Sequence, residues 1–350
     1  RLRETHLLIL KCCGQPSLNL HKSNDLHSMK VLVVGHIHQD GINLLQTRAD
    51  LTIEITEAHN ESDLVNLVSD ADAILVRSAL ITSSIIESAP LLKVVSRHGV
   101  GFNSVDVEAL TARQIPLTIA VGGNAVSVAE HTLYLILALA KDSAAYDAAT
   151  RRGDFSFRSE PRAREIEHSE LLVIGFGRIG SQVTRRALAF GITVHAYDPY
   201  VADNIIRDAG ALIVNDLHDA LPQMDIVTLH CPLTKETTKL ISNNELNLMK
   251  SSAILVNTAR GGVVDEVALY DALTQNGIAA AGLDVFVTEP TDPAHPLLSL
   301  TNVIVSPHCA GVTRESTSRT SRIAAQNVLS TLDGSIKSFY VVNHEVLEQP

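Results

Sequence analysis

The chain has 350 residues, 45% of them hydrophobic and 19% charged, which suits about two globular domains and excludes a disordered or fibrous chain. Lys and Arg number 28 against 39 Asp and Glu, a net charge of −11, and an acidic surface argues against nucleic-acid partners. The four cysteines Cys12, Cys13, Cys231 and Cys309 form neither a disulfide framework nor a Cys-x-x-Cys metal pair, so a reducing, cytoplasmic setting without a structural metal is expected. No apolar run approaches the roughly 18 residues of a membrane helix.

Residues 1–28 read differently from the rest. The short run Leu7–Leu10 is too brief for a signal-peptide core, and Glu4 and Asp25 do not suit a transit peptide. Met29 leads straight into Lys30-Val31-Leu32-Val33-Val34, so Met29 is expected to be the native start and residues 1–28 a non-native or disordered extension. From there β-branched runs alternate with helical patterns, the signature of βαβ units and parallel sheets. The first series of strands is expected at Val31–Val34, Leu51–Ile55, Ala73–Val76, Lys93–Ser96 and Pro116–Ile119, with helices such as Glu61–Ser69 and Val105–Arg113 between. One long helix is expected from Asn124 to about Arg151. It is apolar on nearly every face through Leu139, and so should be buried in a core or a subunit interface. A second series follows at Glu170–Ile174, Ile192–Tyr197, Ile226–Leu229, Ala253–Asn257, Ala279–Leu283 and Val303–Val305. The expected fold is α/β, two doubly wound parallel-sheet domains joined by that helix.

The second series opens on a nucleotide fingerprint. Leu171–Ile174 is a buried-strand run, followed by Gly175-Phe176-Gly177-Arg178-Ile179-Gly180 and a helix. Gly175 permits the tight turn, Gly177 lets backbone approach a pyrophosphate, and Gly180 allows close helix–strand packing. The helix N-terminus then offers amide donors to the phosphates. Asp198 ends the next strand 18 residues beyond Gly180, where an acid hydrogen-bonds the adenosine ribose and repels a 2′-phosphate. NAD is therefore the expected cofactor. The fingerprint begins far into the chain, unlike that of the lactate and malate dehydrogenases with an N-terminal nucleotide fold.

Three polar residues close later strands: Arg260 in Asn257-Thr258-Ala259-Arg260-Gly261, Glu289 in Val287-Thr288-Glu289-Pro290, and His308 in Ser306-Pro307-His308. Any one alone reads as an ordinary loop residue. With Arg97-His98-Gly99-Val100-Gly101, Asn124-Ala125-Val126-Ser127-Val128-Ala129-Glu130-His131 and the glycine loop, they make the chain from about residue 30 to 344 resemble the D-2-hydroxyacid dehydrogenase family. The resemblance implies Arg260, Glu289 and His308 as the catalytic set. An imidazole titrates near neutrality and can move the hydroxyl proton. A carboxylate on its other nitrogen fixes the tautomer, and a guanidinium holds the substrate carboxylate with two parallel bonds. The resemblance also implies cofactor contacts at Arg178, Ile179, Cys231, Pro232, Thr258, Ala259 and Asp284, the last near the nicotinamide amide. It implies substrate contacts at the Val100 and Gly101 amides. Formate-oxidising relatives carry Gln at the Glu289 position, so formate is disfavoured.

The substrate expected is a small 2-hydroxy or 2-oxo acid. Arg77-Ser78 and Arg97 close strands of the first half, and the resemblance matches both arginines to phosphate contacts in the members that oxidise 3-phosphoglycerate. Arg97, however, opens a motif shared with relatives acting on unphosphorylated acids. Reduction of hydroxypyruvate or glyoxylate is the alternative, although Asp198 disfavours the NADPH-preferring reductases. Ser104 stands where the family more often has Asn, and with Pro350 about 40 residues after His308 a serine-binding regulatory domain is not expected. The family resemblance further implies that residues 29–123 with 309–350 form a discontinuous substrate domain of flavodoxin-like type. Residues 124–308 would form the NAD-binding Rossmann domain, and the long helix a homodimer interface. An NAD-sensing corepressor built on the same fold is the rival from another class; turnover separates the two.

Overall fold

The computed structural model describes residues 28–348; the expectation for the N-terminal extension lies outside them, apart from Ser28. Twelve strands run in chain order: β1 Met29–Val34, β2 Leu51–Thr56, β3 Ala73–Val76, β4 Val94–Arg97, β5 Leu117–Ile119, β6 Glu170–Ile174, β7 Thr193–Tyr197, β8 Leu212–Ile213, β9 Ile226–Leu229, β10 Ile254–Asn257, β11 Ala280–Leu283 and β12 Val303–Val305. Between and after them lie α1 Gln39–Leu45, α2 Glu61–Leu67, α3 Ser83–Glu87, α4 Val107–Ala112, α5 Ala125–Ala140, α6 Ser143–Arg151, α7 Arg178–Ala189, α8 Asp203–Asp208, α9 Leu217–Ala220, α10 Asn243–Leu248, α11 Glu266–Thr274 and α12 Arg314–Leu332. Among the described residues no helix is long and apolar enough to cross a membrane.

The strands form two parallel sheets, ordered β2-β1-β3-β4-β5 and β12-β11-β10-β9-β6-β7-β8. The first is the flavodoxin-like order and the second the Rossmann order with an added strand, and such sheets place ligands at the carboxyl ends of strands where the order reverses. Central strands such as Ala73–Val76 and Ile226–Leu229 are buried along their whole length, as parallel strands covered on both faces must be.

One face of the first sheet is covered by the end of the chain. Ala324, Ala325, Val328 and Leu329 of α12 share a core with Val31, Val33, Leu75 and Val94, and the Ser96 hydroxyl donates to the Ala324 carbonyl at 2.9 Å. The edge of β5 is covered too. Asn343 Oδ1 accepts the Leu117 amide at 2.8 Å, and its Nδ2 donates to the Ile115 carbonyl at 2.9 Å.

One expectation needs correction. The stretch 124–151 is two helices rather than one, because Asp142 takes a left-handed conformation (φ 47°) between α5 and α6; Asp tolerates this better than most residues. Within the single chain α5 is core on most faces but keeps one open strip. Val126, Glu130 and Tyr134, spaced four apart and therefore on one face, stay exposed, Tyr134 at 55%. The two-residue strand β8 was not expected: Leu212 and Ile213 are too short a run to show a period.

Candidate active site

The glycine loop joins β6 to α7 at the reversal of strand order. A β-carbon on Gly180 would sit 2.1 Å from the Gly175 carbonyl oxygen, so the helix can approach the strand only with glycine there. A β-carbon on Gly177 would meet open space, and no side chain caps α7. The first amides of the helix are thus left for a ligand. Asp198 lies beside the loop. Its Oδ2 accepts the Phe176 amide at 2.7 Å and its Oδ1 the Tyr200 amide at 2.9 Å, which fixes the carboxylate at the end of β7. An open glycine, an uncapped helix and an oriented acid fit a dinucleotide.

The other expected cofactor residues take more varied places. Arg178 stacks on the Phe339 ring, 4.8 Å from its centroid. Ile179 packs partly into the core under α7, so its amide rather than its side chain is free for a ligand. Cys231 backs onto Gly175, and burial pushes its thiol up to about 11. The Pro232 carbonyl accepts the Thr237 hydroxyl at 2.5 Å. Thr258 turns inward, its hydroxyl bonded to Thr132 at 2.9 Å, which leaves its backbone for contact. Ala259 is buried, and its amide is held by Asn257 Oδ1 at 3.0 Å. Asp284 is only 1% exposed, and its carboxylate accepts three hydrogen bonds within the protein. Its Oδ1 accepts the Ser306 hydroxyl at 2.5 Å and the Cys309 amide at 2.9 Å, and its Oδ2 accepts the Ala310 amide at 2.9 Å.

Arg260, Glu289 and His308 close β10, β11 and β12 on the same side of one sheet. His308 Nδ1 lies 2.7 Å from Glu289 Oε2. A carboxylate can only accept, so Nδ1 carries the hydrogen and Nε2 is the ring nitrogen left without it. Glu289 is held in turn by the Phe286 amide, which donates to its Oε1 at 3.0 Å. The pair is half-exposed at the cleft mouth, with side chains 48% and 38% accessible.

Arg260 faces the first sheet. A β-carbon on Gly101 would sit 2.4 Å from Arg260 Nη2, so the Gly99–Gly101 loop lies directly against the guanidinium, with Val100 exposed beside it. Burial lowers the Arg260 pKa, opposed by Glu289. Arg97 is pushed down to about 10 by burial, then by Arg260 and Arg77. Arg77 donates to the His36 carbonyl at 2.9 Å, and the neighbouring Ser78 is exposed. Three guanidiniums therefore share one field. Burial, then Arg77 and Arg97, push the buried His98 down to about 4, so at neutral pH its ring adds no fourth positive charge. Sequence reasoning underrated Arg97, since its motif carried no sign that Arg77 and Arg260 converge on it.

A nucleotide fold facing a second α/β sheet, with an arginine, a glutamate and a histidine at the crevice, defines a two-domain dehydrogenase class. Residues 133–310 match the family described as D-isomer specific 2-hydroxyacid dehydrogenase, NAD binding domain. A D-3-phosphoglycerate dehydrogenase of Methanocaldococcus jannaschii is 39% identical over 88% of this chain and 58% of its own length. A glyoxylate reductase of Korarchaeum cryptofilum is 35% identical over 91% of this chain and 97% of its own. The solved D-lactate dehydrogenase of Aquifex aeolicus, complexed with NAD and lactic acid, superposes with a TM-score of 0.81 at 31% identity, covering 89% of this chain and 99% of that one. The chain belongs to the D-isomer specific 2-hydroxyacid dehydrogenase family. It spans about 58% of the length of the first phosphoglycerate relatives it matches.

Proposed function

We propose that this protein is an NAD-dependent D-2-hydroxyacid dehydrogenase acting on a phosphorylated substrate of the 3-phosphoglycerate type. The observation that carries this reading is the His308–Glu289 pair beside Arg260, with Arg77 and Arg97 adding positive charge in the same crevice. Bound NAD supplies the hydride acceptor, and NADH the donor. During oxidation His308 Nε2 takes the hydroxyl proton; during reduction it returns that proton to the carbonyl oxygen. Glu289 holds the ring in the required tautomer and stabilises the imidazolium. Arg260, with the Val100 and Gly101 amides, grips the carboxylate and turns the reacting carbon toward the cofactor. Arg77 and Arg97 neutralise the distal anionic group.

The residues that hold NAD are the glycine loop, the first amides of α7, and Asp198, with Cys231 and Thr258 approaching through backbone and Pro232 and Ala259 lying beside them as packing contacts. Residues 29–123 with 309–350 serve as the substrate domain and 124–308 as the NAD-binding domain; the packing of α12 on the first sheet supports that division. Glu130 and Tyr134 of the exposed strip lie with Leu133, Leu137, Ala138 and Phe190 in one apolar depression, which suits a homodimer interface in a cytoplasmic enzyme. Sedimentation at micromolar concentration should show a dimer; a stable monomer would remove that assignment.

The direct experiment is NAD reduction with 3-phosphoglycerate beside NADH oxidation with hydroxypyruvate, glyoxylate, 2-oxoglutarate and pyruvate. Arg97→Ala should raise KM for the phosphorylated acid by roughly 10–100-fold, the value of a charge-assisted bond, and change KM for glyoxylate far less. Equal effects on both acids would show that Arg97 does not read a phosphate. Asp198→Asn keeps an acceptor for one of the two amides that Asp198 holds, gives up the other bond, and drops the charge. It should narrow the NADH-over-NADPH binding ratio by roughly tenfold, about 1.4 kcal/mol. An unchanged ratio in a fluorescence titration would separate Asp198 from the ribose.

A further inference from the structure

We propose that His131 and Ser306 are positioning residues for His308, an inference that rests on reading His308 as the acid/base. His308 has a left-handed backbone (φ 51°), a conformation non-glycine residues hold only when their surroundings impose it. The restraint comes from Asp284. Its carbonyl accepts the His308 amide at 2.8 Å, and its carboxylate accepts the next two amides, those of Cys309 and Ala310. Asp284 therefore clamps three consecutive amides, and the direction of the His308 side chain depends on where that carboxylate points.

Two further groups orient the carboxylate. The Ser306 hydroxyl donates to Asp284 Oδ1 at 2.5 Å, and Ser306 Oγ lies 2.9 Å from His131 Nε2. With its hydrogen spent on Asp284, the hydroxyl can only accept from the ring, so His131 is the Nε2–H tautomer. The chain of donors is thus His131 to Ser306 to Asp284, ending on the backbone that carries His308. His131 lies on α5, 175 residues from Ser306.

The same two segments touch twice more. Ser127 and Thr313 are joined through their hydroxyls at 3.0 Å. Gly311 lies so close to Asn124 that a β-carbon would sit 2.8 Å from the Asn124 side-chain nitrogen. The chain leaves the first sheet through 124–131 and returns to it through 306–313. These two connections are therefore linked at three points, and the His131–Ser306 bond is the one nearest His308.

The test compares Ser306→Ala, Ser306→Thr and His131→Ala in the full chain. Ser306→Ala should lower kcat about tenfold, with substrate KM and NADH affinity, measured by fluorescence without substrate, within twofold. Ser306→Thr, which keeps the hydroxyl, should restore kcat to within twofold. The double variant Ser306→Ala/His131→Ala should lose no more than the slower single variant, since both act through one carboxylate. The imidazole NMR signal of His308, assigned by its loss in His308→Gln, should shift in Ser306→Ala and return in Ser306→Thr. That readout needs no turnover, so it decides the positioning role even if the substrate reading fails. An unchanged kcat and His308 signal in Ser306→Ala, or a Thr variant as impaired as the Ala variant, would overturn the proposal.

Discussion

His308→Gln is expected to lower turnover by roughly 10²–10⁴-fold while NADH binding stays nearly intact. Glutamine keeps a polar side chain of similar reach but cannot exchange a proton near neutrality. The ring it replaces bonds Glu289 at 2.7 Å on one side and is half-exposed to the crevice on the other. The glycine loop and Asp198, which carry the cofactor reading, lie at the ends of β6 and β7 and do not contact it. Rate and cofactor affinity should therefore separate cleanly. Near-full activity in this variant on the best substrate would remove His308 from the chemistry and favour an NAD-sensing binding protein on the same fold.

Gly261→Ala should cost both stability and activity. A β-carbon at Gly261 would lie 2.0 Å from the Phe286 carbonyl carbon, 2.1 Å from its oxygen and 2.3 Å from the Val287 amide nitrogen. All three are backbone atoms, so no rotamer change relieves the clash, and the loops after β10 and β11 must move apart. The cost of such overpacking is about 3 kcal/mol. Arg260 precedes Gly261 and Glu289 follows Val287 by two residues, so the same movement separates Arg260 from the His308–Glu289 pair. A misplacement of about 1 Å costs on the order of 10²-fold in rate. Gly262→Ala is the control. Its β-carbon would meet only the end of the Leu233 side chain at 3.3 Å, which can turn away. Thermal melts and kcat/KM measured on both variants should diverge; equal values would show that the close loop contact does not organise the site.

Much of this molecule is legible in its amino-acid sequence alone. Buried parallel strands are near-continuous apolar runs, so Ala73–Val76, Leu171–Ile174 within β6, and Ile226–Leu229 stand where the apolar pattern puts them. The glycine loop and Asp198 are legible because nucleotide binding imposes fixed spacing within a single βαβ unit. Arg260, Glu289 and His308 each follow their own strand, but alone each reads as an ordinary loop residue, and only the family resemblance singles the three out.

The tertiary path decides the rest. The break at Asp142 depends on one residue's backbone conformation, to which hydrophobic periodicity is blind. The open strip on α5 emerges only once the other faces of the helix have found partners in the nucleotide fold. The field shared by Arg77, Arg97 and Arg260 requires two sheets to face one another. The bond from His131 to Ser306 spans 175 residues. Local sequence specifies elements through period and spacing, because those forces act within a few residues. Contacts between distant residues are set by how the elements pack, and in this chain that packing brings together the groups around His308.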